Sequence, residues 1–226
     1  MTNYADIHRH IDRAASGDDA SGEAIRRWVL DVLAGIADSR RRLDAVRHPL
    51  GFVCLPVERS GDDGICVHLW SPDVATAEPT TSTVHSHSWD LLSYVLFGQV
   101  SNEIVKVADD ASDPAYRVYE VVSHGEVDEI RSTPRLVRRS DGDVRVAGAG
   151  EAYTLPAGHF HETVTPPGQQ AATVALGRVR RGLRDLSLGA VDGHTHRVRR
   201  QRCDPGTTVR TARTIADRVA AAAYSR

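Results

Sequence analysis

The sequence predicts an all-β core held between helical ends, and three observations predict it. From Gly51 to about Gly177 the chain is a succession of short β-rich runs divided by Gly, Pro and Asp; no amphipathic helix interrupts them; and helical periodicity appears only toward the two ends. About ten such runs at this spacing indicate an antiparallel sandwich or barrel and exclude an α/β fold. The 226 residues, 41% hydrophobic and 26% charged, fit one globular unit with appendages. A chain of this length buries roughly 70% of its unfolded surface, so its core needs neither disulfides nor a structural metal. A metal site in it therefore serves function.

Three segments follow: a helical one over residues 1–50, a barrel over 51–177 and an arginine-rich extension over 178–226. Tyr4 to Ala15 forms a short helix. Over residues 21 to 46, Ile25, Trp28, Val29, Val32, Leu33, Ile36, Leu43 and Val46 recur at spacings of three and four, which draws one apolar stripe on a helix or on two helices broken near Gly35. Ser21 and Glu23 offer its cap, Pro49 ends it, and Trp28 anchors it to a larger body. The strand runs are GFVCLPV, ICVHLW, LLSYVLF, VSNEIVKV, YRVYEVVS, RLVRRS, DVRVAG, AYTLP, HETVTP and ATVALG. After Gly177 the chain is irregular up to TTVRTARTIADRVAAAAYSR, a terminal helix with Val209, Ala212, Ile215, Val219 and Ala222 on one side.

Composition excludes several functions. No run approaches the ~18 apolar residues of a membrane span, and the N-terminal residues lack the apolar centre of a signal peptide, which predicts a soluble cytoplasmic protein without membrane partners. Cys54, Cys66 and Cys203 are widely spaced, with no CxxC arrangement, so a cysteine zinc cluster is not expected. A net charge of −2 argues against a nucleic-acid partner. Ten arginines over residues 178–213 make the tail locally basic, which is read as a solvated surface.

The chemistry lies in the histidines. His85 and His87 flank one residue in TVHSHSWD, and on a strand alternate residues share a face, so both imidazoles point the same way. A metal needs at least one more donor. GEAYTLPAGHFHETVTP supplies it: Pro156 and Gly158 form a turn, His159 lies within it and His161 begins the next strand.

These residues resemble the two motifs of the cupin superfamily. His85, His87, Leu91 and Gly98 keep the register of the first, with Leu91 where the family carries an acid and Pro79 where a glycine is usual; Gly150, Pro156, Gly158 and His161 match the second in full. The resemblance implies a double-stranded β-helix, a jelly-roll barrel, with a metal held by His85, His87 and His161. Asp90 becomes a further ligand if a bulge turns it inward; on an uninterrupted strand it faces away. His159 is a rim group or an exchanged ligand, and His194 and His196 are surface residues. With Leu91 unable to bind, three neutral imidazoles leave a divalent ion its full charge, which favours an anionic or chelating substrate.

Around the metal, Arg59, Trp89, Ser93 and His68 are candidates for binding substrate, and Tyr94, Tyr153 and His159 for acid–base catalysis, although simple alternation points Tyr94 away. The layout of RSGDDGICVHLW followed by HSHSWDLLSYVLFGQVSNEI is similar to that of the thiol dioxygenases, cupins with a three-histidine iron site; their cysteine–tyrosine pair is missing here, so their substrate is not carried over. The expectation is an iron(II) dioxygenase using oxygen and a small metabolite. Zinc, manganese or nickel in a non-oxidative isomerase or lyase, and a non-catalytic binding module, are the alternatives. An exposed barrel edge invites pairing with a second copy into a homodimer.

Overall fold

The computed structural model describes residues 3–223. Helix α1 (Tyr4–Ala15) opens with a reciprocal cap: the Asn3 side chain accepts from the Asp6 amide, and the Asp6 carboxylate accepts from the Asn3 amide. Helix α2 (Asp19–Ala37) starts two residues before the expected cap, because Asp18 accepts from the Ala20 amide while Ser21 donates to the same carboxylate. It also ends well short of Val46. The apolar period continues through Leu43 and Val46, but Ser39 turns left-handed (φ 60°) and Val46–His48 forms strand β1 instead. Helix α3 (Pro205–Ala223) begins at a proline, with Asp204 accepting from the Thr207 amide at 2.8 Å; Tyr224 to Arg226 of the expected helix lie outside the described residues.

The remaining strands are β2 (Phe52–Ser60), β3 (Asp63–Trp70), β4 (His85–Ser86), β5 (Trp89–Phe97), β6 (Gln99–Asp109), β7 (Tyr116–His124), β8 (Val127–Gly148), β9 (Ala152–Leu155), β10 (His161–Val164), β11 (Ala171–Val179), β12 (Asp185–Gly189), β13 (His196–Arg199) and β14 (Gln201–Arg202). They form two antiparallel sheets, in the orders β14-β1-β2-β3-β11-β5-β9 and β13-β8-β6-β10-β4-β12-β7. From β3 to β6, and again from β9 to β12, the chain passes from one sheet to the other at every strand. The inner orders β3-β11-β5-β9 and β8-β6-β10-β4 are those of a jelly roll.

Two expectations are corrected here. RLVRRS and DVRVAG are parts of one strand, β8, because Asp141-Gly142-Asp143 does not reverse the chain. A bulge in the pairing with β6 falls between Glu103 and Val105, and a Cβ at Gly142 would meet the Ile104 carbonyl at 2.8 Å, so the glycine admits the close approach. The arginine-rich stretch is not irregular either. It forms β12, β13 and β14, and its arginines are paired: Arg197 of β13 with Glu129 of β8 at 3.2 Å, and Arg200, between β13 and β14, with Asp128 of β8 at 2.7 Å.

Strand alternation decides where the core sits. Val53, Leu55, Ile65, Val67, Leu69, Val174 and Leu176 leave the outer face of the first sheet and meet Ile7, Ile11, Ile25, Val29, Leu33, Ile215 and Val219 from the helices. Trp28 packs at the margin of this cluster, partly buried. The other face of the first sheet looks into the barrel, toward the second sheet, whose strands β4 and β10 carry His85 and His161.

Candidate metal centre

Register brings the three expected imidazoles together. His85 on β4 and His161 on β10 are direct cross-strand partners, and their ring centroids lie 4.4 Å apart. His87, just beyond β4, places its Nε2 3.2 Å from Nε2 of His85. Ligand atoms of all three lie within 4.8 Å of one another.

The rings are prepared to bind. Nδ1 of His85 lies 2.8 Å from the Thr83 carbonyl and Nδ1 of His161 3.0 Å from the His159 carbonyl. A carbonyl only accepts, so Nδ1 carries the proton in both rings and Nε2 turns its lone pair to the centre. Burial lowers the pKa of all three; the neighbouring His161 adds to this at His85, and His85 adds to it at His87. Nε2 of His85 and of His161 is thus free of a proton, and Nε2 of His87 meets that of His85 at 3.2 Å; three imidazoles so placed fit a divalent transition metal with positions left open.

The second motif is tied to the first through the backbone. Gly158, left-handed at φ 80°, donates its amide to the His87 carbonyl at 2.8 Å, and the Ala157 amide donates to the Asp90 carboxylate at 2.9 Å. Asp90 also pairs with Arg180. The Ala157 amide and the Arg180 guanidinium hold its pKa below the usual carboxylate range. Asp90 therefore faces away from the imidazoles, as it does on an uninterrupted strand, and is spent on the turn that launches His161. Replacing it with alanine is expected to leave most of the metal bound, checked by elemental analysis of the purified variant; loss equal to that of a histidine variant contradicts this.

The other candidates separate clearly. Trp89 stacks on the His87 ring at 4.0 Å between centroids, and Ser93 and Leu91 share its inward face, Leu91 packing on Leu155 and Ala175. Tyr153 also faces inward, its phenol beside Ser93 and Asn102 and its pKa raised by burial. Tyr94 is excluded from catalysis at this centre: it is buried on the opposite face, in the cluster shared with the helices. His159 is exposed at the rim, and its carbonyl, not its ring, serves the centre. Arg59 is exposed at the end of β2, and its charge acts on Cys54 and Cys66. His194 is exposed and His196 half-buried at the start of β13, where no strand was expected.

A separate groove of 320 Å³, lined in part by Tyr4, His8, Asp90, Arg178 and Arg180, lies against α1, and none of the three imidazoles lines it. The sequence reading missed one group. Cys54, Cys66 and His68 also place ligand atoms within 4.8 Å of one another, against the expectation drawn from their spacing. Counting back from the Gly61-Asp62 turn does not find them, because it sets Cys54 opposite Leu69; a register shift between Pro56 and Glu58 brings Cys54 opposite His68 instead.

The strand order, with the chain alternating between the two sheets, decides the architecture. The fold is a double-stranded β-helix, a jelly roll, as the resemblance implied. No protein-family model matches the sequence, and no curated protein matches it. Solved structures similar to the chain include a cupin superfamily protein of Desulfitobacterium hafniense (8% identity, 57% of this chain and 78% of that one, TM-score 0.33). They also include the polyketide cyclase RemF of Streptomyces resistomycificus (18%, 67% and 84%, TM-score 0.36) and a hydroquinone 1,2-dioxygenase of a Sphingomonas species (17%, 57% and 66%, TM-score 0.34). No helix among the described residues is long and apolar enough to cross a membrane.

Proposed function

We propose that this cupin is a metal-dependent enzyme, a mononuclear non-haem iron(II) oxygenase of the dioxygenase type acting on a small anionic or chelating metabolite. The observation that carries the reading is the convergence of His85, His87 and His161, with the tautomers of two rings set by backbone carbonyls. An iron ion bound there supplies a dipositive centre with open positions for substrate and oxygen side by side.

The chain's own residues do the rest. His85 and His161 hold their rings through Thr83 and His159, so no ligand has to reorient on binding. Leu91 adds no negative charge, which leaves the centre attractive to an anion. Trp89, flat against His87 and lying over Gly177, makes one side of the centre apolar and fixes the His87 ring. Ser93, Asn102 and Tyr153 place polar groups within the barrel. Asn102 is fully buried there, its Oδ1 accepting from the Thr163 hydroxyl and its amide beside the Tyr153 phenol.

The test is anaerobic purification with iron, followed by an oxygen-electrode screen of small thiols, amino acids and carboxylates. Oxygen uptake matched by loss of one substrate, and absent in His85→Ala, is the expected result. Turnover without oxygen uptake assigns a non-oxidative isomerase or lyase instead. A protein that purifies without metal and whose stability ignores chelators is a binding module, and the enzymatic reading falls.

A further inference from the structure

Strands β2 and β3 carry two different faces. Val53, Leu55, Ile65, Val67 and Leu69 are at most 1% exposed and face the helices. The intervening residues Cys54, Cys66 and His68 face the barrel and keep part of their surface open to solvent. Two thiols and an imidazole thus meet within 4.8 Å on the side where the chain is not filling its main apolar core. The His68 ring packs against an aromatic pair, 4.4 Å from Phe52 and 5.8 Å from Trp70, centroid to centroid.

We propose that Cys54, Cys66 and His68 form a second metal site, distinct from the three-imidazole centre, that takes a borderline or soft ion such as zinc(II). The donor chemistry separates the two sites. Three imidazoles suit iron, nickel or zinc, whereas two sulfurs and one nitrogen select zinc or copper(I) over iron(II). Three protein ligands leave a fourth position open. Thr173, the cross-strand partner of His68 on β11, lies on the same face, and its buried hydroxyl has no partner among the described residues, so it is available to a water or small ligand in that position. Metal binding displaces the protons of the thiols and makes only coordination bonds, with no change of oxidation state.

A disulfide is the competing use of the same thiols, and register opposes it. Cys54 stands opposite His68 and Cys66 opposite Pro56, so the cysteines are diagonal neighbours. Such pairs have Cα atoms about 7–8 Å apart, beyond the usual disulfide reach. The imidazole, directly across from Cys54, completes a ligand set that a disulfide would leave unexplained.

Cobalt(II) is the probe, because a thiolate ligand gives it a charge-transfer absorption that imidazoles do not. The full-length reduced protein is expected to bind two equivalents, with that absorption arising from one of them. In the double variant His85→Ala, His161→Ala one equivalent and the absorption remain. Cys54→Ser or Cys66→Ser roughly halves the absorption and lowers the affinity of that site at least tenfold, the double variant Cys54→Ser, Cys66→Ser removes the absorption, and His68→Gln weakens binding and leaves the absorption; circular dichroism verifies that each variant is folded. A charge-transfer band that survives in the double serine variant overturns the proposal. So does a count of reactive thiols that falls by two in air and returns with reductant while no metal binds. The two sites fail differently: without the three-imidazole centre the wild type binds one ion and shows the absorption, and without the second site it binds one ion and does not.

Discussion

In His161→Ala, metal binding is expected to collapse while the fold survives. Loss of one of three donors exceeds the ~10–100-fold that losing an outer-sphere partner costs in affinity. The apo fold is expected to lose on the order of 1–3 kcal/mol, since a buried ring and its hydrogen bond to the His159 carbonyl disappear but the main core lies on the other side of the first sheet. Thermal unfolding with and without chelator checks both statements. The wild type loses the stabilisation that a bound ion confers by mass action, and the variant, having no such ion at this centre, melts at nearly the same temperature either way when its cysteines are also replaced by serine. A variant that holds a full equivalent of metal in that background contradicts the ligand assignment.

Gly98→Ala is expected to be the most damaging single methyl group in the barrel. Gly98 links β5 to β6, where the chain crosses between sheets, with φ 75°. A Cβ there would lie 2.2 Å from the Gln170 carbonyl oxygen and 2.8 Å from Cα of Ala171, both backbone atoms that cannot rotate away. A left-handed non-glycine residue costs about 1–2 kcal/mol by itself. With the clash added, the loss is at least about 3 kcal/mol, which lowers Tm by roughly 6–12 °C in a domain of this size. Gly51 provides the control: φ is 88° but no atom lies within 4 Å of its Cβ position, so Gly51→Ala is expected to cost only the backbone strain. Equal losses for the two variants in urea unfolding would show that this corner is not packed as described.

Half of the metal centre was legible from alternation, which puts His85 and His87 on one face. That His161 joins them was implied by the resemblance of its glycine–proline turn to the second cupin motif, because its pairing with His85 is a register between distant strands. Asp90 was harder. Alternation turned it outward, but only the coordinates show what it does there, gripping the Ala157 amide.

What escaped the reading depends on pairing between distant segments. Cys54 meets Cys66 and His68 only through the register of β2 and β3, which a bulge between Pro56 and Glu58 shifts by one residue and so conceals even when the turn is located. The arginine-rich strands were hidden because their pattern is charged on the outside and short on apolar residues within. Leu43 and Val46 misled for the opposite reason. Their spacing continues the stripe of α2, yet Val46 pairs with Cys54 in a sheet, a case of tertiary pairing prevailing over local period.

The most direct measurement is X-ray absorption at the metal edge of the anaerobically loaded Cys54→Ser, Cys66→Ser variant, which isolates the three-imidazole centre. The predicted spectrum contains three imidazole scatterers at about 2.0–2.1 Å and no sulfur, with light-atom scatterers filling the open positions. Fewer than three imidazoles, or a spectrum unchanged by His161→Ala, would contradict the claim that His85, His87 and His161 share one ion.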